Sequence, residues 1–121
     1  MTFSYYEKIG DKIENIDDEI PFDLPDSWSW CRGYSCFEGV KSTKPQGEFF
    51  DYIDIDAIDN RLHRIKASKH LLVSDAPSRA NREVKIGSVL FSLVRPYLEN
   101  IALVEEKHSH CIASTGFYVC N

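Results

Sequence analysis

This sequence predicts a β-rich α+β fold, a mixed sheet with short helices and long charged loops, and three stretches carry that prediction. GSVLFSLV (87–94) is apolar at Val89, Phe91 and Leu93 and again at Leu90 and Val94, as a strand buried on both faces requires. IALV (101–104) repeats the pattern after a short connection holding Arg95, Pro96 and Asn100. FFDYIDIDAI (49–58) is aromatic and β-branched, the composition that suits a pleated surface.

Taken in order, residues 1–20 show weak periodicity and many acids, so they read as a leader or linker. The organisation expected is an acidic leader over 1–26 and a folded domain over 27–121. Pro21 and Pro25 favour extended chain and oppose a helix running through them. Trp28 and Trp30 lie two apart, on one face of an extended segment, where they would anchor the lead-in against the core. From Arg32 to Glu48 little can be assigned beyond a short strand or helical turn. In 49–58 strict alternation puts Phe50, Tyr52, Asp54 and Asp56 on one face, with Phe49, Asp51, Ile53 and Ile55 on the other. Asp59-Asn60 reads as a turn, followed by a short strand near Leu62–Ile65. A brief helix could start at Ser78. Val89–Val94 is expected in the centre of a sheet and to end at Pro96.

At 121 residues and 43% apolar content, the chain has one domain's worth of sequence and needs no staples to form a core. No apolar run approaches the ~20 residues that cross a bilayer. The polar, acidic N-terminus lacks the features of a signal or transit peptide, so the cytoplasm is the expected compartment and no membrane partner is expected. Charge is segregated along the chain. Residues 1–26 hold eight acids and two bases, whereas 61–85 hold seven bases against two acids. Cys31, Cys36, Cys111 and Cys120 follow no zinc-knuckle or redox spacing, and the last two read as small buried hydrophobes.

Several residue groups could carry chemistry. Asp51, Asp54 and Asp56 could hold Mg²⁺ in a small nuclease, although solubilising aspartates on a half-exposed strand are the simpler reading. His108 and His110 beside Cys111 could bind a metal, with a polar turn as the simpler reading, and no metal site is expected. Ser78, Ser88, Ser92 and Ser114 sit in no nucleophile elbow, and Ser114-Thr115-Gly116 reads as a strand with a close backbone approach at the glycine. There is no Walker loop and no dinucleotide fingerprint. The basic stretch is the better candidate. Arg79 and Arg82 are three apart, so one helical turn or tight loop would aim both at the same anion, and the guanidinium fork matches a phosphate or a guanine edge. Ser78 and Asn81 add neutral donors. Arg61, Arg64, Lys66 and Lys69 would steer a polyanion, and Arg95 either joins them or pairs with Glu99 or a backbone carbonyl.

Longer motifs support that reading. EIPFDLPDSWSWCR (19–32) resembles the opening of a target-recognition domain in the DNA-specificity subunit of type I restriction–modification systems, and YYEKIGDKIENIDDE (5–19) resembles the linker ahead of it. APSRANREVKIGSVLFSLVRPYLENIALV (76–104) and ASTGFYV (113–119) are similar to the family's sheet core. The resemblance implies a non-enzymatic reader of one half-site of duplex DNA, without cofactor. Its implied partners are methylation subunits, which use S-adenosylmethionine, and restriction subunits, which use ATP. Two departures stand out. Gly33-Tyr34-Ser35 follows Arg32 where the family continues with Leu-Gly and a helix, and no heptad pattern supplies the family's long spacer helix. A partial target-recognition domain is therefore the expectation, and a protein-interaction remnant that folds without gripping DNA is its rival.

Overall fold

The computed structural model describes residues 4–121, which fall into two compact units that divide after Arg32. In the first unit, β1 (Tyr6–Ile9) and β2 (Lys12–Asn15) form an antiparallel hairpin in the register Ile9↔Lys12. Gly10-Asp11 makes its turn, and Gly10 at φ +60° occupies the first central position, where a type II′ turn wants glycine. The weak periodicity of 1–20 thus conceals a hairpin over 6–15. The acidic residues masked a two-residue Gly-x hairpin signal.

This unit is fastened by charge. The Arg32 guanidinium donates to both oxygens of Glu7 (2.9 and 3.1 Å) and of Glu19 (3.0 and 2.8 Å), which holds both carboxyls below their ordinary range. Trp30 packs on Phe22 with ring centroids 5.1 Å apart. Trp28 is 69% exposed, so it does not anchor the lead-in as its spacing suggests.

The second unit starts with a single helical turn, α1 (Gly33–Cys36), and then builds two sheets. The strands are β3 (Phe49–Ile53), β4 (Ile58–Asp59), β5 (Arg64–Ile65), β6 (Lys69–Leu72), β7 (Ala80–Glu83), β8 (Val89–Ser92), β9 (Ile101–Leu103), β10 (Ile112–Ser114) and β11 (Phe117–Cys120). One sheet runs β6-β3-β10-β7 and the other β11-β8-β9-β5-β4. Each is mixed: β3/β10 and β5/β9 are parallel, and the remaining pairs are antiparallel. The β-rich mixed-sheet class is therefore observed, and β8 lies inside its sheet between β11 and β9. It is buried on one face only: Leu90 and Ser92 are sealed while Phe91 and, past the strand's end at Ser92, Leu93 and Val94 are exposed, so the expected two-sided burial of 89–94 fails.

The main core gathers residues of both sheets, including Ile53, Leu90, Val104, Ala113, Phe117 and Val119. A second cluster of Phe50, Tyr52 and Ala80, with Leu71 and Val73 against it, covers a separate face of the first sheet. Tyr52 is buried with its hydroxyl unpartnered among the described residues, so it is held by shape rather than by a hydrogen bond.

Three local expectations fail for identifiable reasons. The 49–58 run is not one strand. Asp54 accepts the amide of Ile55 at 2.8 Å and caps a 3₁₀ turn over Ile55–Ala57, which breaks the alternation after Ile53. Leu62 is exposed in a turn whose Arg61 and Leu62 amides are bound by Asp59 Oδ1 (2.9 and 3.1 Å), which leaves β5 only two residues. No helix begins at Ser78. Residues 80–83 instead pair with β10, where the register slips between Ala113 and Ser114. That slip turns the strand over: Ala80 lies in the outer cluster and Val84, an even number of residues on, lies in the main core.

Candidate nucleic-acid interface

Because 80–83 is extended, Arg79 and Arg82 are separated by roughly 10 Å of chain and are not stacked on one helical turn. Their surroundings differ accordingly. Arg79 is exposed and approaches Asp54 Oδ2 at 3.5 Å, while Arg82 is half-buried with Nε sealed and unpartnered. Arg82 is fixed by its neighbours. Residues 41–43 run beside β7, with the Thr43 amide on Asn81 O (2.9 Å), the Glu83 amide on Lys41 O (3.0 Å) and a bridge between Ser42 and Arg82. Asn81 Oδ1 also accepts the Thr43 amide at 3.2 Å, so that side chain already serves the fold.

Arg79 lines an open groove of about 660 Å³. Lys66, Asn60 and Asn100 line it too, with Asp54 and Asp56 as its acidic members. Ser78 and Asn81 line a separate cleft of about 250 Å³ with Lys44. The groove thus offers one guanidinium, one ammonium and two amides, a donor set that suits phosphates and base edges.

The remaining sequence candidates are spread around the second unit. Arg64 donates to Glu105 (3.0 and 3.1 Å) and Lys69 to Asp56 (3.0 Å). These partners hold the Glu105 carboxyl below its ordinary range and the Lys69 ammonium above its own. Arg61, Lys66 and Arg95 are exposed and make no ion pair among the described residues. Arg95 does not pair with Glu99. It stands in left-handed backbone (φ 48°), as does Glu99 (φ 56°), and the two bracket a 3₁₀ turn over Pro96–Leu98. Two non-glycine residues in that region mark a loop held in an unfavourable shape by its surroundings.

The rival catalytic readings dissolve in the geometry. Asp54 serves its cap and Arg79, Asp56 serves Lys69, and Asp51 accepts from His70 and His110 (2.8 and 2.6 Å), so the three aspartates do not converge on one cation. Those two imidazoles hold the Asp51 carboxyl below its ordinary range. Ser88, Ser92 and Ser114 are buried and engaged. Ser92 Oγ bonds Val94 O, Ser114 Oγ accepts the Gly116 amide, and Ser88 Oγ donates to Asn121. Thr115 and Gly116 form a turn rather than a strand, but the close approach exists: a Cβ on Gly116 would meet Ile55 and Ser114 at 3.4 Å. Cys111 is buried and Cys120 half-buried, neither in a disulfide, and burial pushes both thiols up.

No family model matches the chain, and no curated protein matches it. Solved structures do. The HsdS subunit from Thermoanaerobacter tengcongensis is 38% identical with a TM-score of 0.75, over 84% of this chain and 27% of that one. A chain from a structure concerned with complex assembly and conformational transition of the type I R-M system matches with the same identity, TM-score and coverage. The chain spans about a quarter of the length of these relatives. In fold, and in sequence over 84% of its length, this chain is a relative of the HsdS specificity subunits of type I restriction–modification systems.

Proposed function

We propose that the chain is part of a target-recognition domain that reads one DNA half-site in a type I specificity subunit, in the cytoplasm and without catalysis of its own. The likeness to HsdS at 38% identity and TM-score 0.75 carries this reading. The groove of Arg79 and Lys66 is its DNA-facing surface, with Arg61 and Arg95 as further exposed cations. Lys69 reaches the groove through Asp56, Ser78 and Asn81 would contact DNA from their own cleft, Arg64 adds charge elsewhere on the unit, and Arg82 acts by shaping β7. The methylation and restriction subunits are its protein partners. Tyr97 (76% exposed), Leu93 and Leu98 on the loop after β8 offer an apolar surface suited to such contact.

The pairs Arg79–Asp54 and Lys69–Asp56 are exposed on at least one side, and such pairs are worth only about 0–1 kcal/mol. A phosphate can therefore displace the carboxylate. Fluorescence anisotropy of the subunit complex on its duplex should give log affinity falling against log salt with a slope of about −0.9 per phosphate contact. A flat salt dependence removes the groove from the interface, and the interaction-remnant reading then takes over.

Asp54 is the groove's internal competitor for Arg79. Asp54→Ala is expected to tighten non-specific duplex binding at low salt while lowering stability by about 0.5–2 kcal/mol through loss of the cap. Unchanged binding in a folded Asp54→Ala protein would show that Arg79 does not reach DNA.

A further inference from the structure

Away from the groove, the first sheet collects a second set of chemically capable side chains. The β3/β6 register sets His70 opposite Asp51, and the parallel β3/β10 register, Ile112↔Tyr52, sets Cys111 level with Asp51 on the other side. The turn before β10 adds His110. One carboxylate, one imidazole and one thiol, from Asp51, His110 and Cys111, have their ligand atoms within 4.8 Å of one another. His110 Nε2 lies 2.6 Å from Asp51 Oδ2 and 3.9 Å from Cys111 Sγ.

We propose that Asp51, His110 and Cys111 bind a divalent transition-metal ion of zinc's softness, with His70 orienting the carboxylate. Mixed oxygen, nitrogen and sulfur donors are the set that zinc and cobalt accept and that magnesium and calcium avoid. Ligands of a tetrahedral zinc stand roughly 3.3–3.7 Å apart, so the two His110 spacings need to change by less than about 1 Å and the Asp51–Cys111 spacing by at most about 1.5 Å. The site is supported from both sides. Cys111 is fixed in the main core, while His70 Nδ1 donates to Asp51 Oδ1 (2.8 Å) and stacks on Phe49, centroids 4.9 Å apart and 12° from parallel. Ligating carboxylates are commonly held in this way by a second hydrogen bond. Asp51 and His110 keep 27% and 59% of their side-chain surface exposed, which leaves a route for the ion and a fourth position for water. Binding forms the metal–sulfur bond and releases the thiol proton to solvent.

The test uses the full chain, stripped with a chelator and titrated with Co²⁺ and then Zn²⁺. The expected result is one ion per chain, a thiolate-to-cobalt charge-transfer band, displacement by zinc and a rise in melting temperature with free zinc. Cys111→Ala should abolish the band. His110→Gln and Asp51→Asn, at more exposed positions that leave the fold intact by circular dichroism, should weaken binding at least about tenfold. His70→Phe should weaken it while keeping the band. A Cys31→Ser, Cys36→Ser double variant should bind like the parent. Absence of cobalt binding, a band that survives Cys111→Ala, or parent-like affinity in His110→Gln would each overturn the proposal.

Discussion

Phe117→Ala is expected to cost about 3–5 kcal/mol, the usual loss when a buried aromatic leaves a cavity. Phe117 is fully buried at the start of β11, in the core that joins the two sheets. Its strand pairs with β8 in the register Phe117↔Ser92, next to the turn whose Gly116 carbonyl accepts the Leu93 amide at 2.8 Å. The cavity therefore opens where the second sheet meets the loop leading to Arg95. Total stabilities run about 5–15 kcal/mol, so a loss of this size moves the chain close to its folding limit. Urea denaturation followed by far-ultraviolet circular dichroism measures it. A midpoint shift equivalent to less than about 1 kcal/mol would mean that the core closes around the gap and that Phe117 is not its keystone. Phe117→Leu should recover much of the loss, because it refills most of the apolar volume that alanine leaves empty.

Arg79→Ala, made in a complete specificity subunit, is expected to weaken discrimination at its half-site by about 1–3 kcal/mol if the guanidinium reads a base. If it meets phosphate only, affinity should fall equally on all sequences and the salt slope should lose about one contact's worth. Competition of specific against random duplex at fixed salt separates these outcomes. Arg82→Ala should act differently. The Arg82 side chain is half-buried, so its truncation removes packing along β7 and should lower stability while changing DNA binding only in proportion. A variant in which Arg82→Ala abolishes binding with stability intact, while Arg79→Ala does nothing, would reverse the assignment of the two arginines.

How much of this was legible in the residues varies by element. The apolar run at 89–94 marked β8 as an inner strand, yet only its Leu90–Ser92 face is buried, so apolar composition located the strand without fixing how many of its faces are covered. The exposed cations were legible as a segregated charge run. Hairpin β1–β2 was hidden because its acids obscured the Gly10 turn. The end of β3 was hidden because Asp54 satisfies the next amide, a local hydrogen bond that alternation alone does not reveal. Ser78–Arg82 looked like a helical turn by spacing, yet pairing with β10 overrode that local preference.

The sequence by itself determined the fold class, the family likeness and the basic character of 61–85, since burial pattern and composition are written residue by residue. Only the tertiary structure decided which charges stand together. Pairing of 80–83 with β10 drew the chain out and separated Arg79 from Arg82, and sheet pairing brought His70, Asp51 and Cys111 into one row from distant parts of the chain. Strand register is set by cooperative pairing across the sheet, and no local stretch of sequence records its partner.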